Sequence, residues 1–245
     1  MTPEKLALLS GAIFVIAFLY SSVGHAGASG YIAVMGLFNL APDVIKPTVL
    51  GLNILVACIA AWHFWKAGHF SWRLFWPFAV LSIPFAFMGG YISLPNQTFK
   101  VLVGLVLLFS AFRFFARPPE DTLGHEPSLR VAIPIGGGMG LLAGLTGTGG
   151  GIFLTPMLLF MHWARAKSAA AVSAVFILVN SVSGLLGNLS STKSIPTFTA
   201  PLAVAAVVGG LAGSYYGSRR FEPATIKRLL AVVLLIAGSK LIFAR

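Results

Sequence analysis

Gly24-His25-Ala26-Gly27-Ala28-Ser29-Gly30 and Gly147-Thr148-Gly149-Gly150-Gly151 interrupt apolar stretches at matching places in the two halves of this chain. Glycine inside a long apolar run frees backbone N–H and C=O groups and lets a helix or a small ligand come close. In hydrocarbon, free backbone groups persist only around a cavity lined by protein. A matched pair of such breaks therefore points to a shared binding site between two halves of a membrane protein.

The surroundings of the breaks fit that solvent. The 245 residues are 57% hydrophobic and 9% charged, with a mean hydropathy of +0.90, which disfavours a soluble domain. Apolar runs at about 6–23, 48–65, 74–94, 101–115, 131–146, 168–187, 200–217 and 229–243 can cross or nearly cross a hydrocarbon core. The runs at 29–40 and 151–161, which begin at the breaks, are too short to do so as helices. The fold class expected is all-α: a polytopic integral membrane protein in contact with lipid on most of its surface. The net charge of +11 is spread over short loops without an aromatic-basic patch, so nucleic acid is not a partner. The single cysteine, Cys58, lies in an apolar run and fits packing rather than a disulfide. Lys5, the apolar stretch to Tyr20 and Ala26-Gly27-Ala28 imitate a cleaved leader, but the same arrangement recurs around residue 147, where no leader can be.

Sliding the chain on itself by 121 residues superposes Gly30 on Gly151 and Lys46 on Lys167; a shift of 127 superposes Thr98 and Lys100 on Thr225 and Lys227. The chain reads as a first membrane repeat, 1–115, a polar linker, 116–130, and a second repeat, 131–245. Counting four crossings per half divides the cations nine against eight, which sets no orientation. Counting about five segments, with each break as the tip of a helical hairpin, gives eleven against six. The richer side, carrying Lys66, Arg73, Arg113, Arg117, Arg130, Arg165, Lys167, Arg219, Arg220, Lys227 and Arg228, is then cytoplasmic. An odd number of segments separates equivalent positions, so the two repeats are inverted.

The candidate substrate-binding residues follow from the breaks. A helix that begins there offers unpaired N–H groups and a partial positive charge, a ready site for an anion. Gly24, Gly27, Gly30, Gly147, Gly149, Gly150 and Gly151 supply backbone amides, and Ser29, Thr146 and Thr148 add hydroxyl donors. His25 has no equivalent, since Thr146 stands in its place; it is either a substrate donor or proton acceptor, or a structural histidine. Asn53, Asn180, Ser173 and Ser181 lie within long apolar segments and need partners, in a neighbouring helix or in the substrate. Lys46 and Lys167, each just before the next helix, either snorkel to the interface or attract anions to the two mouths of the pathway.

The six carboxylates, Glu4, Asp43, Glu120, Asp121, Glu126 and Glu222, all fall in termini, loops or helix ends. Cation carriers and carboxylate-driven antiporters need Asp or Glu within the membrane, so a small anion is the most economical substrate. No nucleophile–base pairing, metal-ligand spacing or phosphate loop is present, so neither an enzyme nor a metal or other cofactor is expected.

With these residues the chain resembles the sulfite exporter TauE/SafE family of bacterial membrane proteins. The resemblance is carried by Gly147-Thr148-Gly149-Gly150-Gly151-Ile152-Phe153-Leu154-Thr155-Pro156, by Lys167 and by the small-residue segment through Ser173, and it covers nearly the whole chain. The first half departs from it, with His25 among its glycines and no proline to match Pro156. The resemblance implies export of sulfite, a sulfonate or a related small sulfur-containing anion across the inner membrane. A channel-like facilitator and a non-transporting accessory protein are the alternatives, and the fold class is compatible with a homo-oligomer.

Overall fold

The structure, a computed structural model, describes residues 2–22, 25–115, 127–192, 196, 198–217 and the isolated positions 235, 239 and 242. Among these residues every regular element is a helix: α1 (Pro3–Ser22), α2 (Ala28–Leu37), α3 (Pro42–Lys66), α4 (Trp72–Tyr91), α5 (Asn96–Phe115), α6 (Leu129–Thr146), α7 (Gly151–Phe160), α8 (Ala166–Thr192) and α9 (Thr199–Gly217). Five of them, α1, α3, α4, α6 and α8, are long and apolar enough to cross a membrane. The two runs that begin at the breaks form helices of 10 residues each, α2 and α7, short of a full crossing. Gly24, most of the linker and most of the last apolar run at 229–243 lie outside the described residues.

Helices α4 and α6 pack together, as do α1 and α9; α8 lies against α4, α3 against α9, and α3 against α8. Exchanging α1 with α6, α3 with α8 and α4 with α9 leaves this set of pairings unchanged. The buried apolar residues form two clusters that follow the same exchange. One draws on α1, α2, α3, α5 and α9, with Ile177 of α8, around Tyr20, Tyr31 and Ile32. The other draws on α4, α6, α7 and α8 around Phe78, Leu158 and Phe176. Neither cluster belongs to one half of the sequence, because α4 and α9 cross over to pack with the opposite half.

Small residues bring these helices together. A Cβ on Gly136, Gly140 or Gly144 of α6 would overlap the carbonyl oxygen of Phe78, Ser82 or Ala86 of α4, one contact per turn. Gly209 and Gly213 of α9 approach the carbonyls of Phe14 and Phe18 of α1 in the same way. In lipid, such close backbone approach replaces the hydrophobic drive that joins helices in water. The outer faces carry exposed apolar side chains such as Leu105, Phe112 and Val204. Trp62, Trp65 and Trp72 gather beside Lys66 and Arg73 at the α3–α4 turn, with Trp65 stacked on Phe70 at 5.0 Å. Aromatic rings beside cations are the expected furniture of a membrane–water boundary.

Candidate functional site

The second break is built from left-handed backbone. Gly147, Gly149 and Gly150 have φ of +81°, +72° and +82°, which residues with a Cβ rarely adopt. They turn the chain out of α6 and into α7, and no side chain caps the N-terminus of α7. Its first amides are therefore left for backbone or ligand. Thr146 turns inward on its own helix, donating to the Leu142 carbonyl at 2.6 Å, and lies 3.0 Å from the Thr148 hydroxyl. Thr146 and Thr148 are both buried.

Helices α3 and α8 close over this turn. Asn53 of α3 donates from Nδ2 to the Gly147 carbonyl at 3.3 Å. A Cβ on Gly149 would lie 2.7 Å from Ser181 Oγ and 3.3 Å from Asn53 Nδ2, so both polar groups border the glycine turn. On the next helix, the Ser82 hydroxyl of α4 donates to Asn180 Oδ1. Among the described residues, Asn53 Oδ1, Asn180 Nδ2 and Ser181 Oγ are buried without a hydrogen-bond partner. Buried polar atoms are normally paired, and each exception requires an explanation. Asn53 and Ser181 carry two of them to the edge of one uncapped helix start, and Asn180, the residue before Ser181 on α8, carries the third.

The first break is finished differently. Gly27, with φ of +103°, leads into α2, again without a side-chain N-cap. Here Tyr20, from the end of α1, lies 2.7 Å from Ser29 Oγ through its hydroxyl and also accepts from the Gly30 backbone N–H. A residue of the protein thus occupies the start of α2. The hydroxyls of Tyr31 and Ser21 remain buried without partners among the described residues. His25 is half-buried, and its backbone N–H bonds to the Tyr20 carbonyl at 3.0 Å.

The two lysines superposed by the 121-residue shift occupy unlike settings. Lys46 stands inside α3 rather than before it, because Pro42 starts the helix four residues earlier. Its buried ammonium donates to the carbonyls of Gly89, Gly90 and Ile92 at 2.8, 2.9 and 2.9 Å. These acceptors lie at the C-terminal end of α4, where a cation is favoured by the helix dipole. Three donors meet three acceptors, so Lys46 offers a ligand its charge and no free N–H. Lys167 is exposed at the second residue of α8.

Lys46 also lines a small open cleft with Asp43, Leu94, Leu145 and Asn188. Gly147 packs on the Lys46 backbone, its would-be Cβ 3.4 Å from the Lys46 carbonyl oxygen, so this cleft lies directly against the second break. Of the residues singled out in the sequence, the structure gathers Asn53, Gly147, Thr148, Gly149, Gly150 and Ser181 around one turn, with Asn180 next along α8. Ser29, Gly30 and Gly27 gather around the other. Tyr20 and Ser82 were not among the candidates; both lie in apolar segments and reveal their roles only through a neighbouring helix.

Known proteins settle the kind of molecule that carries this arrangement. The model of the sulfite exporter TauE/SafE family matches residues 9–241. The chain belongs to the sulfite exporter TauE/SafE family. It is 39% identical over 240 residues to the probable membrane transporter protein y4hK of Sinorhizobium fredii, covering 96% of this chain and 97% of that one. It is 26% identical over 187 residues to the probable membrane transporter protein YunE of Bacillus subtilis, 68% of each chain. It is 24% identical over 213 residues to the probable membrane transporter protein MJ0441 of Methanocaldococcus jannaschii, 80% of this chain and 79% of that one. No solved structure matches it with significance. This TauE/SafE protein is thus a multi-pass membrane transporter.

Proposed function

We propose that this transporter moves sulfite, a sulfonate or a related small sulfur-containing anion out across the bacterial inner membrane by alternating access. The observation that carries the reading is the second break. An uncapped helix start borders Ser181 Oγ, a buried donor without a partner, and a second such donor, Asn180 Nδ2, belongs to the preceding residue of α8. Donors and a positive helix end in a low-dielectric surrounding suit an oxyanion. No Asp or Glu occurs between residues 44 and 119 or between 127 and 221, so nothing in the described core opposes negative charge or matches a cation. In this reading Thr148 and the amides of Gly149, Gly150 and Gly151 hold the anion. Lys46 contributes charge at the cleft mouth and Lys167 at the opposite face.

The repeats are inverted in the same reading, supported by the helix exchange and by the bias of eleven cations against six. Asn53 lies on α3, whose apolar residues join the first cluster, and the glycine turn meets Ile177 of that cluster and Phe176 of the second. The anion site therefore lies where one packed body meets the other, and a rocking motion between them opens it. Gly149 has no room even for a Cβ in this packing, which favours a carrier over an open pore. Counterflow in liposomes tests the proposal: preloaded sulfite or sulfonate should accelerate uptake of labelled substrate. Transport of none of these anions, or flux without exchange acceleration, contradicts it.

A further inference from the structure

We propose that Asn53 makes the second break selective for anions that carry a hydrogen-bond donor of their own; this rests on the reading of that break as the anion site. The orientation of the Asn53 amide is decided by its partner. The Gly147 carbonyl can only accept, so the atom facing it is the Nδ2 donor and the free end is Oδ1, an acceptor. That oxygen is fully buried and has no partner among the described residues.

Asn180 presents the opposite polarity. Its oxygen is taken by the Ser82 hydroxyl, which leaves Nδ2 as the free end. Asn53 and Asn180 are 127 residues apart, the offset that also relates α4 to α9, so equivalent positions of the two halves present an acceptor and a donor. The Asn180 amide, the Ser181 hydroxyl and the start of α7 suit the oxygens of a sulfonate or sulfite group. Asn53 Oδ1 suits none of them. Against a donor-free anion it would face only other acceptors and stay buried and unpaired, which carries a large penalty. An O–H or N–H on the substrate, close to the anionic group, removes that penalty.

Isethionate and propanesulfonate test this directly, because they are similar in size and charge and differ in a terminal hydroxyl against a methyl. Binding to the purified full chain in detergent is measured for both by calorimetry. The wild type should bind isethionate at least about tenfold more tightly, the scale set by leaving one buried acceptor unpaired. In Asn53→Leu the ratio between the two ligands should fall to near one. Equal affinities in the wild type, or an unchanged ratio in Asn53→Leu, would overturn the assignment while leaving the anion site standing. Binding of neither ligand to the wild type removes the anion site itself. The wild-type comparison requires no variant, so a misfolded Asn53→Leu would not leave the proposal undecided.

Discussion

Both breaks turn the chain through left-handed glycine and start a helix of ten residues, yet one is filled by the protein and the other is not. At the first, the Tyr20 hydroxyl takes up Ser29 and the Gly30 amide. At the second, the residues aligned with Tyr20 by shifts of 121 to 123 are Leu141, Leu142 and Ala143, which have no side-chain oxygen to offer. The same two-fold architecture thus yields one helix start taken up by a tyrosine of the protein, although the hydroxyls of Tyr31 and Ser21 nearby stay unpaired among the described residues, and one helix start that no side chain takes up.

The largest effect should come from placing a methyl group in each turn. Gly149→Ala forces a left-handed residue with a Cβ against Ser181 and Ile177, and transport should fall to background in liposome flux assays. Gly27→Ala meets the ring of Tyr31 instead, and should lower thermal stability while leaving measurable flux in the surviving protein. The lysines extend the contrast to the helix ends. Lys46→Met leaves three carbonyls without their cation and should cost roughly 3 kcal/mol of stability in denaturant titration. Lys167→Met, at an exposed position, should stay within about 0.5 kcal/mol of the wild type. Ser181→Ala should weaken sulfite or sulfonate binding by about tenfold, read by calorimetry, with little loss of stability because its hydroxyl has no partner to abandon. The smallest effect on binding belongs to Tyr20→Phe, which should change anion affinity by less than about twofold while costing about 1 kcal/mol of stability.

Much of this fold was legible because helix spacing and apolar length act locally. The starts of α2 and α7 fall at the glycine breaks, and their shortness follows from the apolar runs behind them. The division between Lys46 and Lys167 was not legible. Matching them by one offset ignored that the second half needs a different shift around α3 and α8, and that the Lys46 acceptors come from α4. The offset of 127 was already visible at Thr98 and Lys100; extended to α3, it would have paired Asn53 with Asn180. The role of Tyr20 was hidden for a related reason. A tyrosine at the end of an apolar run reads as an interfacial anchor, and only the return of α2 against α1 brings Ser29 to its hydroxyl.

The most direct test of the division between the breaks is anion-dependent stabilisation, since a ligand that binds the folded state raises the melting temperature by mass action. Purified wild type, Tyr20→Phe and the double variant Asn180→Leu with Ser181→Ala are titrated with sulfite and with isethionate. The account predicts a dose-dependent rise in melting temperature for the wild type and Tyr20→Phe, and none for the double variant. A rise that survives in the double variant and disappears in Tyr20→Phe would place the anion at the first break and contradict it.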